Sequence, residues 1–112
     1  MKILLFLNFL VEVGVGIALI ANPSMFPGFE ATGIDTLLAT MYGGGAIALG
    51  VLGLMTMINS HVHEALIGGL LTLAIFHTCV AVVNYLHSPD LNVAILHSVF
   101  AAGFIFFYFR ER

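Results

Sequence analysis

Two histidines in closely similar surroundings are the residues of this sequence best placed to do chemistry away from water. His77 lies in the segment Ala-Ile-Phe-His-Thr and His97 lies in Ala-Ile-Leu-His-Ser, and each is followed four residues later by an alanine. Both lie in the middle of long apolar runs, where an imidazole has no water to bind. Because ionisable side chains inside a bilayer are costly, they are candidates for function. The pair predicts either a binding site or an internal polar contact between helices.

The composition indicates the environment around this pair. The chain has 112 residues, of which 61% are hydrophobic and 8% are charged, and this lies far outside the range of soluble domains. The apolar residues are spread along the whole chain without the alternation of a membrane strand, so we predict an all-α integral membrane protein. A net charge of −3 with three basic residues excludes a nucleic-acid surface. The lone Cys79 cannot form an internal disulfide.

Turn and cap residues divide the chain into four predicted helices within a single domain, residues 1–112. An Asn-Pro dipeptide ends the first helix, because the residue before proline is pushed out of helical geometry. Asp35, Ser60 and Ser88 are the predicted N-caps of the next three, with Pro89 at the first position of the fourth. A long loop at 22–35 follows the first helix. The predicted transmembrane helices cover about residues 2–21, 36–58, 62–86 and 89–109.

The basic residues predict the topology of this four-helix bundle. Lys2, Arg110 and Arg112 all lie at the two termini, and an even number of spans places both termini on the same side. By the positive-inside rule, that side is the cytoplasm. We therefore predict an antiparallel up-down bundle in the cell (inner) membrane, with the lipid bilayer as its main partner.

Helix two carries faces of small residues that let two helix backbones approach closely in lipid. This makes it the predicted packing helix, and it also leaves room for a homo-dimer or a larger membrane complex. The small pairs at a spacing of four are Ala39/Gly43, Thr40/Gly44 and Ala46/Gly50.

Depth in the membrane predicts which polar residues can meet. At about 1.5 Å per residue, Glu12 lies roughly 15 Å from Lys2, His77 lies roughly 18 Å from a helix start near Ala65, and His97 lies roughly 19 Å from Arg110. We therefore expect Glu12, His77 and His97 to meet near the midplane. Asn8 shares a face with Glu12, and Asn84 shares a face with His77. The predicted site has the two histidines as cofactor ligands and the other three residues as a ligand or proton site.

Three functions are compatible with such a site. The first is a binding or accessory subunit of a membrane complex, in which the polar groups bind a small apolar ligand or hold the helices in register. The second is an electron-transfer protein in which His77 and His97 hold a b-type haem and exchange electrons with quinone. The third is a proton-coupled transporter that uses Glu12. We favour the first over a stand-alone hydrolytic enzyme, because no nucleophile-base-oxyanion set or phosphate loop is present.

Two family resemblances accompany these alternatives. The segment Leu10-Val11-Glu12-Val13 is similar to the carboxylate-bearing first helix of the small multidrug exporters, which implies transport. The order of an apolar helix, an Asn-Pro loop, the segment Ala39-Thr40-Met41-Tyr42-Gly43-Gly44 and a histidine-bearing third helix resembles the DoxX-like small bacterial membrane proteins. That resemblance implies a four-helix fold and a link to quinone-coupled oxidation of sulfur compounds.

The remaining histidines lie in predicted turns. His61 and His63 flank Val62 and precede Glu64, but side chains in a His-x-His pair at a helix start diverge, so we predict a solvated turn and no metal site. His87 is predicted to belong to the turn before the fourth helix.

Overall fold

The described residues of this computed structural model, 1–25, 33–88 and 91–112, fold into helices with no strand among them. Each of the four α-helices is long and apolar enough to cross a membrane. The all-α fold predicted from the sequence is confirmed. The helices are α1 (Lys2–Ala21), α2 (Gly33–Ile58), α3 (His63–His87) and α4 (Leu91–Glu111), with a short 3-10 turn at Pro23–Met25.

Two of the predicted caps are wrong. The second helix begins at Gly33, so Asp35 lies in its first turn, where a carboxylate interacts favourably with the helix dipole. The third begins at His63 after Val62, whose N–H donates to the carbonyl of Asn59 and closes a tight turn. Ser60 lies inside that turn and cannot cap the helix. The predicted start of the fourth helix at residue 89 falls outside the described residues.

The first two helices pack against each other through glycine. A Cβ added to Gly16 would lie 2.5 Å from the carbonyl oxygen of Gly43, so neither position tolerates a side chain. Further along the pair, Gly50 lies beside Glu12, and Gly53 lies beside Asn8. These contacts show that α1 and α2 run antiparallel. The predicted close approach is confirmed at Gly43 and Gly50, where the partner is α1 of the same chain, whereas Thr40 and Gly44 are exposed.

The other two helices pack along each other and against this first pair. Gly69 of α3 lies against the side chain of Thr56 in α2, and Gly103 of α4 lies against Leu4 in α1. Between these points lies an apolar core drawn from α1, α3 and α4. The core holds these three helices in a fixed relation, which positions the polar residues one to two turns away. Its buried members are Leu5, Leu66, Leu70, Leu73, Ala74, Phe100 and Phe104.

The outer surface of the bundle is apolar as well. Ile3 is 77% exposed and Phe109 is 67% exposed, and large apolar side chains face outward along all four helices. Monomeric soluble proteins rarely expose apolar surface on this scale. The polar residues described next are therefore enclosed by an apolar core and an apolar exterior.

Candidate functional site

Three helices bring four polar side chains together in the interior. Helix α1 contributes Asn8 and Glu12, which are one turn apart on the same face, while α3 contributes His77 and α4 contributes His97. Each of the four is at most 5% exposed. We call these residues the central polar cluster. The structure thus places together four of the five site residues predicted from the sequence.

A line of short hydrogen bonds joins three members of the cluster. Oδ1 of Asn8 lies 2.6 Å from Nε2 of His77, and Nδ1 of His77 lies 2.7 Å from Nδ1 of His97. The amide nitrogen of Asn8 faces the carbonyl oxygen of Leu49 at 3.5 Å, which leaves Oδ1 as the group facing the histidine. Because an amide oxygen can only accept, Nε2 of His77 carries the proton and donates it.

This assignment determines the state of the remaining ring nitrogens. With its proton on Nε2, a neutral His77 has a lone pair on Nδ1, so Nδ1 of His97 must donate to it. The hydrogen bonds therefore run from His97 to His77 and from His77 to Asn8. The neighbouring aromatic rings hold this arrangement in place. Phe100 and Phe104 stack on the His77 ring, with centroids at 5.0 and 5.5 Å.

The carboxylate of Glu12 lies beside this line of hydrogen bonds without joining it. Its Oε1 atom is 3.9 Å from Nδ1 of His77 and 4.0 Å from Nδ1 of His97, and both distances are too long for a hydrogen bond. Among the described residues, this oxygen is the one buried side-chain N or O atom without a hydrogen-bond partner. An unpaired polar atom in a dry interior is costly. The cluster therefore contains a hydrogen-bond acceptor, Oε1 of Glu12, that faces both histidines and has no donor.

The fifth predicted residue lies apart from the cluster. Asn84 is half-buried, two turns beyond His77 on α3, and its amide donates to the carbonyl of Val80 in the same helix. Asn84 shares a helix face with His77, but its amide group has its acceptor within its own helix and does not join the cluster. His61, His63 and His87 are all exposed. None of these three histidines belongs to the group of potential metal ligands found among the described residues.

The predicted haem site does not fit this geometry. A metal–imidazole bond is about 2 Å long, so two histidines on opposite faces of a haem iron hold their ligating nitrogens about 4 Å apart. The facing Nδ1 atoms of His77 and His97 are 2.7 Å apart, and the ring centroids are 4.9 Å apart. Nε2 of His77 is bonded to Asn8. The porphyrin has no space between the two rings.

A single metal ion is a different case. A carboxylate oxygen of Glu12 and one ring nitrogen from each of His77 and His97 form a set of three donor atoms that all lie within 4.8 Å of one another. Sequence reasoning predicted a meeting of these residues but no metal site. It also missed Phe100, although the spacing of three residues from His97 places it on the same helix face.

Comparisons with family models, curated proteins and solved structures give no significant match. The resemblances to DoxX-like proteins and to small multidrug exporters therefore stay predictions.

Proposed function

We propose that this chain is an integral membrane protein that crosses the bilayer four times and binds a small ligand at its central polar cluster, as a binding or accessory subunit of a membrane complex. The lengths of the helices, their apolar character and the apolar outer surface support the membrane location. The longest dimension of the chain is 45 Å, close to the roughly 40 to 45 Å thickness of a bilayer with its headgroups.

The orientation in this proposal follows from the basic residues. Arg110 lies over the ring of Phe107 and Arg112 lies over that of Tyr108, so the end of α4 combines an aromatic belt with positive charge. Aromatic belts lie at membrane interfaces, and the basic residues favour the cytoplasmic one. Both termini of an inner-membrane protein would then be cytoplasmic. Reporter enzymes that are active on only one side of the membrane, fused in turn to each terminus, test this topology.

One observation carries the proposed binding function: the carboxylate of Glu12 is buried at the centre and has an oxygen without a partner. If the cluster served only to hold the helices in register, a hydrogen bond to Oε1 of Glu12 would be expected. Asn8, His77 and His97 bond one another without it. An unpaired group that lowers stability is typical of a site kept for binding.

The sign of a stability change tests this proposal. Replacing Glu12 by methionine, which has similar length and no charge, should raise the free energy of unfolding if the carboxylate is held for a ligand. It should lower that free energy if the carboxylate holds the bundle together. Unfolding of the purified protein in mixed micelles by increasing amounts of sodium dodecyl sulfate measures the difference.

The proton-coupled transporter predicted from the sequence remains a separate prediction. It requires that Glu12→Gln, reconstituted in liposomes, lose substrate movement driven by a proton gradient. Unchanged movement would remove this alternative. The matched control is Asn84→Ala, which changes a polar residue of the same bundle outside the cluster.

A homo-dimer formed through α2 would have to use a surface of this helix other than the one that packs against α1. Gly43 and Gly50 are occupied by contacts with α1. Thr40, Gly44 and Ala48 are exposed at a spacing of four residues and offer a narrow outward face. Crosslinking of cysteines introduced on this face, in a Cys79→Ser background, tests for a dimer in membranes.

A further inference from the structure

We propose that the ligand of the central polar cluster is a divalent first-row transition-metal ion such as Zn²⁺, bound by Oε1 of Glu12 and by Nδ1 of both His77 and His97. This inference rests on the proposed binding function and names the chemical class of its ligand. It is carried by the geometry of three donor atoms, by the hydrogen bond that orients one of them, and by the unpaired carboxylate oxygen.

The distances among the three donor atoms match the size of a metal ion. The two Nδ1 atoms are 2.7 Å apart, and Oε1 lies 3.9 and 4.0 Å from them. The point inside this triangle that is equidistant from its corners lies about 2.1 Å from each atom, and zinc binds histidine nitrogen and carboxylate oxygen at about this distance. At about 2.1 Å from the ion, a tetrahedral angle separates two donor atoms by about 3.4 Å, so the two nitrogens would move apart by about 0.7 Å and Oε1 would move about 0.5 Å closer to each.

The hydrogen bond from His77 to Asn8 prepares the ligating nitrogen. Metal-bound histidines characteristically donate their other ring N–H to an oxygen acceptor, which fixes the tautomer and the orientation of the ring. Nε2 of His77 makes such a bond to Oδ1 of Asn8, so the lone pair of Nδ1 faces the proposed ion. His97 supplies its own Nδ1 lone pair once its proton resides on Nε2, and it stays neutral.

The donor set selects the class of metal. Two imidazoles and one carboxylate suit zinc, iron and related transition metals, whereas calcium and magnesium require mostly oxygen ligands. Three protein donors also leave a coordination position for water or another small ligand, as in catalytic zinc sites. The ion would supply the positive partner that Oε1 of Glu12 lacks among the protein groups.

Cobalt binding to the full chain in detergent micelles tests the proposal directly. Co²⁺ in a site of mixed nitrogen and oxygen donors absorbs visible light, and Zn²⁺ should displace it and abolish the absorption. The protein used carries glutamine in place of the exposed His61, His63 and His87, so that surface histidines do not contribute. We expect one displaceable Co²⁺ per chain.

Variants of the cluster distinguish the proposed site from adventitious binding. Glu12→Gln and His97→Gln should each weaken Co²⁺ binding at least ten-fold. Asn8→Ala should weaken it by about 10 to 100-fold, because it removes the acceptor that orients His77. The matched control, Asn84→Ala, should bind Co²⁺ like the parent. Circular dichroism and gel-filtration profiles establish that each variant is folded.

The possible failures are separable. If the folded parent protein binds no Co²⁺ or Zn²⁺, or if His97→Gln binds as tightly as the parent, the metal assignment is overturned. If Glu12→Met raises the free energy of unfolding in that case, the proposed binding function survives with a different ligand. If Glu12→Met instead lowers the free energy of unfolding, the binding function itself fails.

Discussion

Replacement of Glu12 by methionine is the most informative single perturbation of this protein, because the competing roles of the central polar cluster predict opposite signs. Oε1 has no hydrogen-bond partner, and its nearest histidine nitrogens are 3.9 and 4.0 Å away. No hydrogen bond to this atom is therefore lost in the variant. Methionine has a similar volume and can pack beside Gly50, where the Cβ of Glu12 already lies.

The expected magnitude follows from the unpaired oxygen. Leaving a buried polar atom without a partner costs about 1 to 3 kcal/mol, and replacing buried charged groups by apolar residues of similar volume often stabilises by a similar amount. We therefore expect Glu12→Met to raise the free energy of unfolding by about 1 to 3 kcal/mol in the absence of added metal. Titration with sodium dodecyl sulfate, followed by circular dichroism, measures this free energy.

A second variant in the same cluster provides the control. Asn8→Leu removes the hydrogen bond to His77 and leaves a buried ring N–H without an acceptor. It should lower the free energy of unfolding by about 1 to 3 kcal/mol. If both variants destabilise the protein equally, Glu12 is part of the structural network and the reasoning from its unpaired oxygen is refuted.

Three further predictions concern the packing, the membrane and the cofactor. Gly43→Ala should lower the free energy of unfolding by about 1 to 3 kcal/mol, because its Cβ would lie 2.7 Å from a carbonyl oxygen of α1. The control, Gly44→Ala, has open space around its Cβ and should leave the free energy of unfolding unchanged. Equal effects of the two substitutions would contradict the described packing. Cys79 is exposed on the apolar exterior of the bundle. A charged thiol reagent should therefore leave Cys79 unmodified in intact membranes and should modify it after denaturation. Ready modification in intact membranes would argue against burial of this residue in lipid. Protein reconstituted with haem should show no Soret band that depends on His77 or His97, because the distance between their rings excludes a porphyrin. A Soret band that His77→Ala or His97→Ala abolishes would contradict this geometry.

Part of the site was predictable because the position of a residue along a helix can be counted from the sequence. The helix rise of about 1.5 Å per residue places Glu12, His77 and His97 at similar levels, and the one-turn spacing of Asn8 and Glu12 places them on one face. The breaks between helices follow from local residues such as Asn22. These features depend on sequence distance alone, and the structure shows the expected four apolar helices and the meeting of these groups.

The rotation of each helix about its axis was not predictable in this way. It depends on which side chains interlock, such as Gly16 against Gly43 or Gly69 against Thr56. Helical periodicity predicts that Asn84 shares a face with His77, yet the amide of Asn84 donates to a carbonyl of its own helix and lies outside the cluster. Propensity alone likewise favoured Ser60 as a cap, although the tight turn that ends at Val62 excludes it.

The sequence by itself therefore determined that the chain forms four apolar helices with two histidines and a glutamate at similar levels, because apolar composition and residue spacing can be read along the chain. Only the tertiary structure decided that the nitrogens of the two histidines lie 2.7 Å apart, too close to hold a haem, and that Asn8 bonds one of them. It also decided that Glu12 approaches both without bonding either, since distances of this kind arise from the packing of three helices.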